Sequence, residues 1–322
     1  MSKRIDWHIG LQKTGTSTVQ IALMREGGPL EAAGIDWLPG AVGPGAAHHN
    51  AAWEAGAHKR FRPALPGLPA LLEAIAASPA QRIFVSSEDF GLMAPDRVAD
   101  LGARLDPDWA VTPRLVLRNP LDFAESLYAQ AAKQGRPGSF ADFAERLATG
   151  GRLRFDRVRA AWEGLGPVAL TVYEDHDDIC AALAREIGVT PPPPGPRHNR
   201  SLNERFVALA LEIRAAAREG RLALPGRPAG PLPPEEEAPL ARALLRLGAK
   251  HERFRGSPVF LPRAEAAAFL AAQAPVVADL ARHVDLPERY HRPDPDRREP
   301  LRPEARDREA LMDGLADMAE FP

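Results

Sequence analysis

Between residues 5 and 20 the chain reads IDWHIGLQKTGTSTVQ. Two glycines, Gly10 and Gly15, bracket a short loop that holds Gln12, Lys13 and Thr14, and the hydroxyl residues Thr16, Ser17 and Thr18 follow. Glycine permits positive φ and close backbone approach, so such a loop can turn successive N–H groups into one concavity. A helix starting behind it adds partial positive charge, and Lys13 adds an ammonium. This is chemistry for holding a phosphate. In the ATP-type loop a lysine follows the second glycine and the next hydroxyl holds magnesium. Here Thr16 takes the lysine position, and the lysine lies inside the loop.

A second stretch, RNPLDFAES, begins at Arg118 and reaches Ser126 eight residues later. An arginine at a strand end and a serine in the next helix can clasp another phosphate, the guanidinium through two parallel N–H bonds. Two titratable candidates stand apart from these. Glu88 ends the run RIFVSSE, and the carboxyl end of a parallel strand opens onto a ligand crevice. His48 and His49, in AAHHNAA, form a polar loop pair able to swing over a bound acceptor, and imidazole titrates nearer neutrality than a carboxylate. Glu88 is preferred as base on topology, with His49 the rival.

These residues need a scaffold. Ile5, Trp7 and Ile9 alternate with polar residues and run into Gly10, as a strand feeding a turn does. A helix follows from Thr16 to the Gly27-Gly28-Pro29 breaker. Runs at 82–88, 114–118 and 168–175 are rich in β-formers, and each precedes a helix-like stretch. Strands alternating with helices predict an α/β fold, a mostly parallel sheet covered on both faces. After PPPPGPR (191–197) the pattern turns helical: Phe206, Leu209, Ile213 and Ala217 mark one helix, and others are expected around 236–250 and 264–283. The segment 224–234 reads as an exposed loop. The expected organisation is a phosphate-binding core over 1–190 and a helical part over 197–322 that completes the site, as one structural unit.

The paired motifs resemble those of the P-loop-type sulfotransferases, bacterial branch, which use 3′-phosphoadenosine 5′-phosphosulfate. LQKTGTSTVQ is similar to the family's phosphosulfate loop, and RNPLDFAES to its 3′-phosphate motif with the same Arg-to-Ser spacing. SSEDF and ESLYAQAAKQG are similar to stretches of bacterial members. The resemblance implies a three-layer α/β/α, P-loop nucleotide-hydrolase-like fold with a helical C-terminal part. It implies sulfuryl transfer to a hydroxyl or amine of an acceptor whose class the motifs leave open, with adenosine 3′,5′-bisphosphate as product. It assigns Gln12, Lys13, Thr14, Gly15, Thr16, Ser17, Arg118 and Ser126 to the donor, with Lys13 stabilising the leaving phosphate. HNRSLNERF resembles an Asn-x-Ser segment of bacterial relatives, which adds Arg200, with Asn199 and Ser201; Ser201 reads equally as the cap of the next helix. The Trp and the Arg-Lys-Gly motif of the cytosolic steroid and phenol branch are absent. Asp122, Ser126, Gln130 and Lys133 share one helix face, on which Gln130 and Lys133 can extend toward an acceptor.

Two other readings use the same residues. One is a small-molecule kinase taking ATP and magnesium with Glu88 as metal ligand; the other is a non-catalytic nucleotide-binding protein. Composition bounds all three. Basic residues number 41 and acidic residues 43, so no global charge favours nucleic acid or an anionic membrane. One cysteine, Cys180, excludes an internal disulfide framework and suits a reducing compartment. Asp6, His8, Gln12 and Lys13 interrupt the N-terminal apolar stretch against a signal peptide, and no run has transmembrane length. The expectation is a cytoplasmic protein with no membrane span, whose chemistry requires no metal.

Overall fold

The computed structural model describes residues 3–43, 46–134, 138–193, 201–227 and 230–318. Five strands form one sheet: β1 (Lys3–Gly10), β2 (Ile35–Asp36), β3 (Arg82–Ser86), β4 (Trp109–Leu117) and β5 (Ala169–Val172). Their order is β2-β3-β1-β4-β5 and every pairing is parallel. The helices up to the first third of the chain are α1 (Thr16–Leu23), α2 (Pro29–Ala32), α3 (His49–Ala55), α4 (Leu68–Ala77) and α5 (Pro95–Ala103). Then come α6 (Pro120–Lys133), α7 (Phe140–Thr149), α8 (Phe155–Glu163), α9 (Ile179–Glu186), α10 (Glu204–Arg218) and α11 (Glu237–Lys250). The last are α12 (Arg263–Ala271), α13 (Ala274–Leu280), α14 (Glu288–His291) and α15 (Ala305–Ala316). The α/β class and parallel sheet agree with the sequence pattern.

The chain divides into two compact units, each built from separated segments. The first takes Met1–Asn119, Leu153–Arg197 and Gln273–His291 and contains the sheet; the second takes Pro120–Arg152, His198–Ala272 and Arg292–Pro322.

In the first unit β1 is central, with β3 and β4 as neighbours, and helices cover both of its faces. Trp7 packs edge-on against Phe90 at 5.2 Å and lies tilted against Trp162 of α8 at 5.8 Å. Such aromatic rings each remove roughly 150–250 Å² from water. On the opposite face Phe84 and Val116 join Val19 and Leu23 of α1 with Cys180, Leu183 and Ile187 around α9. The polar residues alternating along β1 are buried too: Asp6 is 0% and His8 1% exposed. Asp6 accepts from the Arg114 guanidinium at 2.9 Å and from Arg4 at 2.8 Å. A buried carboxylate needs such partners, because desolvating an unpaired charge costs several kcal/mol, of order 3–5 when one partner is lost.

The second unit is helical. Tyr128 of α6 meets Phe140 of α7 and Phe260 edge-on at 5.4 and 4.7 Å. Glu125, also on α6, is 2% exposed and accepts from the Phe260 N–H at 2.6 Å and from Arg297 at 2.6 Å. Three details depart from the sequence pattern. The single helix expected over 264–283 is split, because Pro275 lacks the N–H that a continuous helix needs, and α13 starts there as a new helix. The 224–234 segment is anchored by buried Leu224 and Leu232. Asn203, not Ser201, caps α10: its Oδ1 accepts from the Phe206 N–H at 3.2 Å. No described helix is long and apolar enough to cross a membrane.

Candidate functional site

The loop from Gly10 to Gly15 leaves the carboxyl end of β1 and enters α1. Three of its residues have positive φ: Gly10 (+110°), Lys13 (+66°) and Gly15 (+76°). A left-handed lysine is uncommon and costs on the order of 1–3 kcal/mol, so neighbouring contacts must enforce it. They do. The Leu11 N–H donates to the Val116 carbonyl at 3.1 Å, and the Thr14 hydroxyl donates to the Leu11 carbonyl at 2.7 Å. Arg118 Nη1 donates to the Lys13 carbonyl, and Gln12 Nε2 donates to Asp89 Oδ1 at 2.7 Å. Thr14 and Gln12, both assigned by resemblance to the donor, thus commit a hydrogen to the loop or to its neighbour. Behind the loop, the Thr18 and Val19 N–H groups donate to the Gly15 carbonyl at 2.9 and 3.2 Å, while the amides of Thr16 and Ser17 open α1, where a helix offers no carbonyl one turn back.

The strand order explains why Arg118 stands beside this loop. From β1 the chain turns toward β2, and from β4 toward β5, so the adjacent strands β1 and β4 send their connections opposite ways. Open parallel sheets bind ligands in the crevice such a divergence leaves at the carboxyl ends. The Lys13 loop follows one strand and Arg118 the other. The Arg118 guanidinium also lies 5.1 Å from the Tyr173 ring centroid, and its Nε has no hydrogen-bond partner among the described residues. Ser126 is on the second turn of α6, in the second unit, and Arg200 and Asn199 lie outside the described residues.

Glu88 follows β3, on the other side of β1. A Cβ added at Gly10 would stand 3.1 Å from the Cα and carbonyl oxygen of Glu88, so glycine is what lets these two backbones meet. Glu88 Oε2 accepts from Gln20 Nε2 at 3.1 Å. His49 is the first residue of α3, where the sequence suggested a plain loop. Its Nδ1 lies 2.8 Å from Ser87 Oγ, 3.9 Å from Glu88 Oε2 and 3.8 Å from Asp89 Oδ2. The ring stacks on Trp53 at 5.8 Å and 14°. Trp53 in turn donates to Asp89 Oδ2 at 2.7 Å. The two candidates for base are therefore neighbours.

His48 does not share that position. It is fully buried, and its Nδ1 accepts from the Ser86 N–H at 3.2 Å, which fixes the ring against β3 and removes it as a swinging base. Burial, only partly offset by backbone hydrogen bonds, lowers its pKa to about 4. His8 is lowered to about 4 as well, by burial first and then by the Arg114 charge.

Sequence reasoning missed Gln20, Ser86, Asp89, Trp53 and Tyr173. For Gln20 a signal existed: it follows Thr16 by four residues, which puts both on one helix face. Gln130 is exposed, while Lys133 lines a small cavity of about 10 Å³ with Phe206, Arg214 and Leu244 inside the second unit, and burial lowers its pKa. No group of acidic, histidine or cysteine side chains suited to a metal ion occurs among the described residues. No protein-family model, curated protein or solved structure matches the chain.

Proposed function

We propose that this chain is a sulfotransferase with a P-loop-type donor site, moving a sulfuryl group from 3′-phosphoadenosine 5′-phosphosulfate to a hydroxyl or amine. The observation that carries the reading is a convergence at the carboxyl edge of β3, β1 and β4. There the Gly10–Gly15 loop, Arg118 and Glu88 follow three adjacent strands, and His49, at the start of α3, stands beside Glu88. The donor groups suit the ligand: a left-handed loop and helix start for the 5′-phosphosulfate, and a guanidinium for the 3′-phosphate. The reaction forms a bond from the acceptor atom to sulfur and breaks the bond from sulfur to the bridging phosphate oxygen. Lys13 and the loop amides stabilise the negative charge left on that phosphate. Glu88, beside His49, takes the acceptor's proton. Positioning and electrostatics supply most of the rate in group transfers of this kind.

The test is thermal. Adenosine 3′,5′-bisphosphate at 100 times its Kd should stabilise the native state by about 2.7 kcal/mol, more than ADP or ATP at equal concentration, with or without magnesium. A magnesium-dependent preference for ATP would replace the sulfotransferase with the kinase, and no response to any nucleotide would remove both. Arg118→Ala should weaken adenosine 3′,5′-bisphosphate by roughly 2 kcal/mol while barely touching adenosine 5′-phosphosulfate. Equal calorimetric losses for both ligands would deny Arg118 the 3′-phosphate.

A further inference from the structure

Gln20 has no assigned part in the proposed reaction, yet its side chain is 1% exposed and spans two groups of the site. Its Nε2 donates to Glu88 Oε2 at 3.1 Å and to Ser86 Oγ at 3.3 Å. An amide nitrogen has two hydrogens, so both bonds can be made at once. Ser86 Oγ is also 2.8 Å from His8 Nδ1. His8 is buried, on the central strand. The row His8, Ser86, Gln20, Glu88 therefore runs from the middle of the sheet to the carboxylate at its edge. Gln20 is carried by α1, the helix whose start forms the donor loop, and Glu88 follows β3.

From this geometry we infer that Gln20 is the positioning residue of the site, fixing the Glu88 carboxylate opposite His49 and tying it to the helix that carries the donor loop. This rests on the sulfotransferase reading. Two facts make the role specific. Glu88 Oε2, the oxygen that accepts from Gln20, is also the one 3.9 Å from His49 Nδ1. The Gln20 amide is itself oriented, because Ser86 Oγ, which lies against His8 Nδ1, accepts its other hydrogen in a buried place where a rotated amide would leave polar groups unpaired. A carboxylate without this clamp keeps its chemistry but loses its aim, and misplacement of a reacting group by about 1 Å can cost on the order of 10²-fold in rate.

The experiment uses Gln20→Met, which keeps the length and removes the donor, and Gln20→Glu, which puts a like charge against Glu88. Adenosine 3′,5′-bisphosphate affinity is measured by calorimetry, sulfuryl transfer by single turnover with an acceptor found by screening, and the His49 ring titration by proton–nitrogen NMR. For Gln20→Met the expected result is donor affinity within twofold of the parent, transfer slower by roughly 10- to 100-fold with little change in acceptor KM, and a displaced His49 titration. For Gln20→Glu the acid limb of the pH–rate profile should move to higher pH, since a like charge disfavours the ionised base. Unchanged transfer in Gln20→Met, or a loss seen only in donor affinity, overturns the proposal. So does a His49 titration identical to the parent's, which needs no acceptor and reads the clamp directly. A parent protein that ignores adenosine 3′,5′-bisphosphate sinks the sulfotransferase reading instead, and leaves the NMR comparison to judge the clamp alone.

Discussion

Replacing Gly10 by alanine tests the close approach on which the candidate site depends. Two costs add. The backbone φ of +110° is one that L side chains rarely adopt, worth about 1–3 kcal/mol. The new Cβ would also stand 3.1 Å from the Cα and carbonyl oxygen of Glu88, which are backbone atoms that cannot rotate aside. Overpacking of that kind costs about 1–3 kcal/mol. The expected loss is about 2–6 kcal/mol, against a total stability of roughly 5–15 kcal/mol for a folded domain. Two controls separate the parts. Gly34 has φ +68° with nothing within 4 Å of an added Cβ, so Gly34→Ala should show the conformational part alone, about 1–2 kcal/mol. Gly40 has open space and no positive φ, so Gly40→Ala should be neutral or stabilising by about 0.5 kcal/mol. Urea unfolding of the four proteins gives the ranking, with Gly10→Ala lowering the midpoint by roughly 1–2 M at an unchanged slope of about 3 kcal/mol per M. If Gly10→Ala costs no more than Gly34→Ala, the loop does not lie against Glu88, and the argument built on their contact fails.

Lys13→Ala should slow sulfuryl transfer by about 10² to 10³ and also loosen the donor, whereas Glu88→Gln should slow it by roughly 10² to 10⁴ with adenosine 3′,5′-bisphosphate affinity kept; calorimetry beside single-turnover rates separates the two. A fully active Glu88→Gln with a dead His49→Ala would move the base to the histidine. His8 and His48 titrate near 4 in the folded chain against an ordinary 6.5, so each stabilises the fold fully above pH 6.5 and ceases to as pH falls to 4. That is about 3 kcal/mol per residue, and a flat unfolding midpoint between pH 7 and 4.5 would contradict it. In the second unit Arg297→Ala should destabilise by about 3–5 kcal/mol, because it strips the charge partner from buried Glu125; denaturant unfolding within about 1 kcal/mol of the parent would refute that.

The glycine-bounded loop after β1 was the most legible part of the sequence, because its signals are local. Glycine at 10 and 15 marks the turns that need positive φ, and Thr16 begins the helix as the pattern suggested. The longer strands were found for the same reason, although β4 starts at Trp109, earlier than its apolar run, and β5 stops at Val172, where a tight turn takes over. Alternation in β1 pointed to a strand without showing what its polar residues meet; Asp6 and His8 are buried, Asp6 held by Arg114 and His8 meeting Ser86 through Nδ1, both from neighbouring strands. Such pairings join residues 108 and 78 positions apart, and nothing local announces them. β2 is two residues long, too short for any periodicity. The contacts of Gln20 and Trp53 with Glu88 and Asp89 were hidden likewise, being made only when β3 lies beside β1.

The segmented make-up of the first unit bears on how the chain is born. That unit takes its last piece from Gln273–His291, and this piece matters: Tyr290 is fully buried, Asn119 Nδ2 donates to the Arg289 carbonyl at 2.8 Å, and Arg159 faces Asp279 at 3.7 Å. A ribosome that has finished residue 197 must still make the stretch up to 291, roughly 5–20 s at ordinary elongation rates. During that interval the sheet exists without its closing piece, with apolar surface around the future place of Tyr290 exposed to chaperones and to other nascent chains. A fragment cut at the proline run would remain in that state for good. An insertion at the proline run, where the sequence shows its most obvious seam, would therefore lengthen the wait for the piece that closes the first unit.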